Sequence, residues 1–263
     1  MPATLLTPPR SRSAAQLERE ANLLKQELQY RRVHQDPYYW LTNLTKTKDE
    51  QAVKNAVQYA NEHHCTFQEA MERLGPEANP YKPFPDREYL RWVIEALKAE
   101  PILFVEKSRT MMLSWVVSAF CAHWGFTMPA TCCVFQSQDL DRAIHDVGYV
   151  KTLWEQSPDW LKKRWPLEKP LDKFAQDELK LANGTKFKAI PGDPDKIRSE
   201  HPTIVVLDEA AHIEQGETSY NVAMGASPVK VFCISSAAPG WFQEVSDAAK
   251  PVPWPYKLPT RAA

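Results

Sequence analysis

The chain has 263 residues, 43% of them hydrophobic and 25% charged, which is room for one α/β core with a smaller appendage. A formal net charge of −1 excludes a global electrostatic pull on nucleic acid, so any such contact has to come from a local patch. Five cysteines without CxxC or Cys/His ligand spacing exclude a structural metal site, and the odd count, with Cys132 beside Cys133 in an apolar run, reads as buried free thiols in a reducing cytosol.

Residues 1–13 are rich in Pro, Ser and Thr and are expected to be disordered. Arg10 and Arg12 have no apolar run behind them, which argues against a signal peptide. Over 14–32, Leu17, Leu23, Leu24 and Leu28 among Glu, Arg, Lys and Gln predict an amphipathic helix, and a second helical stretch covers 49–74. Both are read as a helical region packed on the main domain, with a partner-docking helix as the alternative. A proline-rich connector follows at 75–86, then a helix over 87–99.

From there the period alternates. Residues 102–105 read as a buried strand, and 113–124 as a helix that Gly125 is placed to terminate. His123 interrupts the longest apolar stretch, which is too short to span a bilayer. A strand over 131–135 leads to a helix over 140–154 with Asp139 as its N-cap. Asn183-Gly184, between 179–181 and 185–190, is a strong hairpin signal. Apolar runs at 203–207 and 229–234 complete the set. Short buried strands alternating with helices predict a mostly parallel sheet covered on both faces, with any ligand beyond the carboxyl ends of the strands.

Three strand ends carry polar clusters: Lys107-Ser108-Arg109-Thr110 with Ser114, Asp208-Glu209, and Ser235-Ser236. A carboxylate after a fully apolar strand is suited to hold Mg²⁺, while its neighbour orients an attacking water; the bland alternative is an acidic pair that caps the next segment. Residues 107–114 lie between a strand and a helix, as a phosphate loop does. Against G-x-x-x-x-G-K-[ST] only Ser114 matches. Ser114 at a helix N-terminus nevertheless suits Mg²⁺ and phosphate, and Lys107 and Arg109 bring positive charge from the strand side. On this chemistry alone, a nucleotide site and a basic surface loop remain equally open.

Taken together, the motifs resemble the ATPase domain of the large terminase subunit of tailed bacteriophages. KSRTMMLSW (107–115) is similar to that family's deviant phosphate loop, whose lysine stands at the template's first position; Met112 replaces a glycine. VVLDEAA (205–211) resembles its Walker B segment, and ISSAAPG (234–240) its coupling motif. NGTKFKAIP (183–191), IRSEHP (197–202), PFPDREY (83–89) and DPYYWLTNLTK (36–46) extend the match over about 36–242.

The resemblance implies an ASCE-type P-loop NTPase fold that binds ATP and Mg²⁺ over Lys107, Ser108, Arg109, Thr110, Met111, Met112, Leu113 and Ser114. Asp208 and Ser114 would serve the metal, Glu209 would be the catalytic base, Ser235 and Ser236 would couple, and Arg198 would act in trans on a neighbouring subunit. Arg198 as a surface salt bridge is the alternative. Tyr89 or Phe84 could stack on adenine, though core packing is the preferred reading of both.

The implied organisation is a disordered 1–13, a helical region at 14–80, an ATPase domain at 81–245 and a proline-rich tail at 246–263, with no nuclease domain in this chain. The implied partners are double-stranded DNA, portal protein, the small terminase subunit and further copies in a ring, in the host cytoplasm and without a membrane. The rivals are a helicase-like nucleic-acid ATPase and a degenerate domain that acts only in assembly.

Overall fold

The computed structural model describes residues 13–108 and 111–249. Most of the expected disordered start and proline-rich tail therefore lies outside the described residues, as do Arg109 and Thr110 of the loop. Ser13 is described: it caps the first helix in a reciprocal pair with Gln16.

The N-terminal part comprises α1 (Ala14–Gln35), α2 (Pro37–Leu44), β1 (Lys46–Lys48), α3 (Glu50–Glu62), α4 (Phe67–Leu74) and β2 (Tyr81–Pro83), with β1 and β2 antiparallel. The predicted helical stretch at 49–74 is thus two helices. Thr66 starts the second, because its hydroxyl accepts from the Glu69 amide while Glu69 reaches back to the Thr66 amide. The helix α1 is expected to pack on the main domain, with a partner-docking helix as the alternative; only Val33 of it is buried, and Leu17, Leu23, Leu24 and Leu28 are exposed. Its C-terminal half is tied down by Arg164, which binds Glu27 at 2.7 Å and lies over the Tyr30 ring.

The main part follows as α5 (Glu88–Ala99), β3 (Ile102–Glu106), α6 (Leu113–Thr127), β4 (Cys132–Gln136), α7 (Leu140–Glu155), α8 (Asp159–Lys162), β5 (Glu178–Lys180), β6 (Lys186–Ile190), α9 (Asp195–Ser199), β7 (Ile204–Asp208), α10 (Gly216–Gly225), β8 (Lys230–Ser235) and α11 (Trp241–Ala248). The six-stranded sheet runs β3-β8-β7-β4-β6-β5 and is parallel except for β5, which returns against β6 through the Asn183-Gly184 turn. Gly184 has φ +85°, the left-handed conformation that such a turn requires. The strand β8 lies between β3 and β7, the strand order that the expected ASCE-type P-loop NTPase fold calls for.

Alternation along each strand feeds two cores. Cys133, Phe135, Ile204, Val206, Phe232 and Ile234 pack toward α5, α6 and α7. Val134, Val205, Leu207, Val231 and Cys233 pack toward α9, α10 and α11. Gly125 corrects one expectation, because it lies inside α6, which continues to Thr127. A Cβ there would stand 2.6 Å from Cζ of Phe187 and 2.7 Å from Cγ2 of Thr185, so this glycine lets helix and sheet approach each other. The five cysteines are free; Cys121, Cys133 and Cys233 are buried, but Cys65 and Cys132 are only half-buried. No helix among the described residues is long and apolar enough to cross a membrane.

Candidate functional site

The parallel register brings three strand ends to one edge. Glu106 pairs with Ser235, and Asp208 with Ile234, so the residues after β3, β7 and β8 emerge side by side. The Lys107 amide donates to the Ser235 carbonyl at 2.9 Å, which carries the ladder one residue into the loop. From that base the Lys107 ammonium reaches Oε1 of Glu209 at 3.0 Å, Oδ1 of Asp208 at 3.5 Å and Oγ of Ser114 at 3.4 Å. The Ser114 hydroxyl donates to Oδ2 of Asp208 at 2.8 Å. The other Glu209 oxygen accepts from both the amide and the hydroxyl of Ser236, each at 3.2 Å. Ser235 accepts from the Ala211 amide at 3.2 Å.

Two backbone positions shape this cluster. Met112, the N-cap of α6, has φ 55° and ψ 20°, and Glu209 has φ 52° and ψ 43°. Left-handed backbone at non-glycine residues costs about 1–2 kcal/mol each and persists only where the surroundings impose it. At Glu209 it turns the chain sharply out of β7, so that the carboxylate swings back to Lys107 and Ser236. At Met112 it lets α6 begin one residue before Ser114, with the helix amides facing the site.

Burial sets the charge states. Asp208 is desolvated, which raises its carboxyl above the ordinary range against the pull of Lys107 and Ser114. For Glu209 burial works upward too, but the hydrogen bonds from Lys107 and Ser236 outweigh it and hold the carboxyl low. Burial would lower Lys107, yet the two carboxylates prevail and raise it. At neutral pH the site therefore holds an ammonium against an ionised Glu209, a carboxylate ready to accept a proton or orient a water.

The donor set suits Mg²⁺. A hydroxyl and a carboxylate oxygen, 2.8 Å apart at a helix N-terminus, are the hard ligands this ion takes alongside phosphates and water. Among the described residues no group of three or more His, Cys, Asp and Glu is placed to hold a metal ion by itself.

Lys107, Ser114, Asp208, Glu209, Ser235 and Ser236 are thus brought together at one strand-end edge, with Met111 and Met112 half-buried in the loop; Ser108 is exposed, and Leu113 is buried away from the cluster. Arg198 is not among them: it is exposed on α9 with no ion pair among the described residues. Phe84 is core, edge-on to Trp115. Tyr89 braces the loop instead, its hydroxyl donating to the Met111 carbonyl at 3.2 Å.

Sequence reasoning missed His212, whose Nε2 lies at hydrogen-bond distance, 3.0 Å, from the Ser236 hydroxyl, and Asp146, buried within electrostatic reach of the acidic pair. His212 lacks a pattern that singles it out. Asp146 has one, since it interrupts the apolar stripe Ala143, Val147, Val150 of α7.

Phage large terminases are among the solved structures this chain matches. It is similar to the large terminase ATPase domain of Thermus phage P74-26, at 19% identity and a TM-score of 0.40, over 61% of this chain and 68% of that one. It is also similar to the large terminase of a thermophilic bacteriophage (15% identity, TM-score 0.43), over 57% of this chain and 39% of that one. The bacteriophage HK97 large terminase matches at 11% identity and a TM-score of 0.45, over 59% of this chain and 34% of that one. No protein-family profile and no curated protein matches the sequence.

Proposed function

We propose that this chain is the ATP-hydrolysing motor domain of a phage large terminase, driving double-stranded DNA into a procapsid in the host cytoplasm. The observation that carries the reading is the continuous contact chain Ser114–Asp208–Lys107–Glu209–Ser236, which links the ends of three strands. Lys107 through Ser114, with Arg109 and Thr110, form the loop that cradles the phosphates. Ser114 and Asp208 would hold Mg²⁺, which when bound would neutralise charge on the nucleotide's phosphates.

Lys107 exchanges its carboxylate partners for phosphate, and this frees Oε1 of Glu209 to accept a proton from the attacking water. Ser236 grips the other Glu209 oxygen, so a change in Glu209 on loss of the γ-phosphate passes into the segment after β8. Ser235, tied to Ala211, carries the same movement to the segment after β7. Arg198, exposed and without an ion pair among the described residues, serves a neighbouring copy in a ring, where an arginine in trans stabilises charge on the transferred phosphoryl group. Portal protein and the small terminase subunit complete the assembly.

Glu209→Gln tests the assignment. ATP binding is expected to persist while hydrolysis by the assembled complex is abolished; continued hydrolysis would show that Glu209 is not the base. A loop without glycine in the described part, with its lysine already neutralised, favours a second reading in which the domain serves assembly alone. Mg²⁺-dependent ATP affinity of the wild-type chain separates the two, since an assembly-only domain has none.

A further inference from the structure

Behind the metal end of the site lies a buried polar seam that the proposed mechanism does not use. Ser114, Ser118 and Cys121 stand at i, i+4 and i+7 on α6, which puts them on one stripe of that helix. Ser118 and Cys121 are buried. On the adjoining α7, Asp146 is 2% exposed amid apolar neighbours. It lies on the helix that packs against α6 and within electrostatic reach of Asp208, Lys107, Cys121 and Glu209.

Oδ2 of Asp146 has no hydrogen-bond partner among the described residues. Neither has the hydroxyl of Ser137, which is fully buried just after β4. Ser137 lies one residue past the end of β4, the strand against which α7 packs. Burial first and the Asp208 charge second push the Asp146 carboxyl well above its usual range, which favours the protonated form, able both to donate and to accept.

A buried polar oxygen left unpaired costs about 1–3 kcal/mol. Two such oxygens on facing elements are the usual lining for an ordered water. Mg²⁺ keeps several of its own waters when a protein binds it.

We infer that Asp146 and Ser137 anchor an ordered-water chain that reaches Asp208 and sets how this carboxylate faces the cation. Asp146 is then a positioning residue, acting through Asp208. The cation's part rests on the nucleotide reading above; the water chain is a property of the protein alone.

A crystal structure of the nucleotide-free protein, at a resolution that shows water, tests the chain directly. Water within hydrogen-bond distance of both Oδ2 of Asp146 and Oγ of Ser137 is expected, and a dry seam overturns the inference whatever the protein hydrolyses. The second arm is the Mg²⁺ concentration giving half-maximal ATP binding. Asp146→Asn, which keeps the hydrogen bonds, is expected to behave like wild type. Asp146→Leu is expected to need roughly tenfold more Mg²⁺ or beyond, the range seen when outer-shell partners of metal ligands are lost. ATP binding in EDTA is expected to be the same for both variants. An unchanged Mg²⁺ requirement in Asp146→Leu overturns the inference. If that variant does not fold, Ser137→Ala takes its place with the same criterion. A wild-type chain with no Mg²⁺-dependent ATP binding would sink the nucleotide reading instead, leaving the water to be decided by the crystal.

Discussion

Met112 is where backbone and side chain pull in opposite directions. Its left-handed conformation (φ 55°, ψ 20°) costs an L-residue about 1–2 kcal/mol. Met112→Gly removes that strain but restores about 0.5–1 kcal/mol of unfolded-chain entropy. It also gives up the half-buried side chain, which packs against the main core and is worth about 1 kcal/mol at that exposure. The terms offset, so Met112→Gly is expected to lie within about 1 kcal/mol of wild type. Met112→Ile keeps the apolar volume and places a β-branched side chain at positive φ, where it is a genuine outlier. That variant is expected to lose about 2 kcal/mol. In a chain of this size the loss corresponds to a melting temperature about 4–8 °C lower. Thermal melts of the three proteins measure the difference, and ATP titrations with Mg²⁺ should show Met112→Gly binding at least as tightly as wild type. An isoleucine variant as stable as wild type beside a glycine variant weakened by about 2 kcal/mol or more, on the scale of these terms, would refute the reasoning. Side-chain packing, not backbone, would then govern the loop.

Gly125→Ala drives a methyl group into the rings and methyls of Phe187 and Thr185, and chemical denaturation should register a loss of about 1–3 kcal/mol. Lys107→Met strips the counter-charge from the buried Asp208 and the half-buried Glu209, at a cost of roughly 3 kcal/mol at pH 7. Part of that loss should return on acidification, because Asp208 and Glu209 then protonate more readily folded than unfolded; urea melts at pH 7 and pH 5 compare the two. His123 is buried neutral, with Nε2 donating to the Val33 carbonyl at 2.6 Å, and burial brings its pKa from 6.5 down to about 4. The unfolded chain takes up that proton first, so wild-type stability should fall by roughly 3 kcal/mol as pH drops from 6.5 to about 4. His123→Gln, which keeps a donor for Val33, should flatten the slope.

Much of the fold was legible where local chemistry is unambiguous. Asn183-Gly184 announced its hairpin, Asp139 its helix start, and the apolar runs their parallel strands, because turn geometry, capping and double-sided burial each leave a short-range mark. Gly125 was misjudged because a glycine that ends a helix and one that admits a neighbour look alike until Phe187 is in place. The exposed face of α1 was misjudged for a related reason: periodicity shows that a helix has an apolar face and is silent on what covers it.

The sequence by itself determined the layout of the site, since polar residues after buried parallel strands must emerge at the same edge. Only the tertiary structure decided what those residues are to one another. The sheet order sets β8 between β3 and β7, and that spacing puts Lys107 between Asp208 and Glu209 rather than beside one alone. Packing of α7 against α6 and the sheet places Asp146 within electrostatic reach of Asp208, across a gap of 62 positions that no local pattern spans. Distances across a sheet come from strand order and helix packing, which are properties of the whole chain, and no window of sequence contains them.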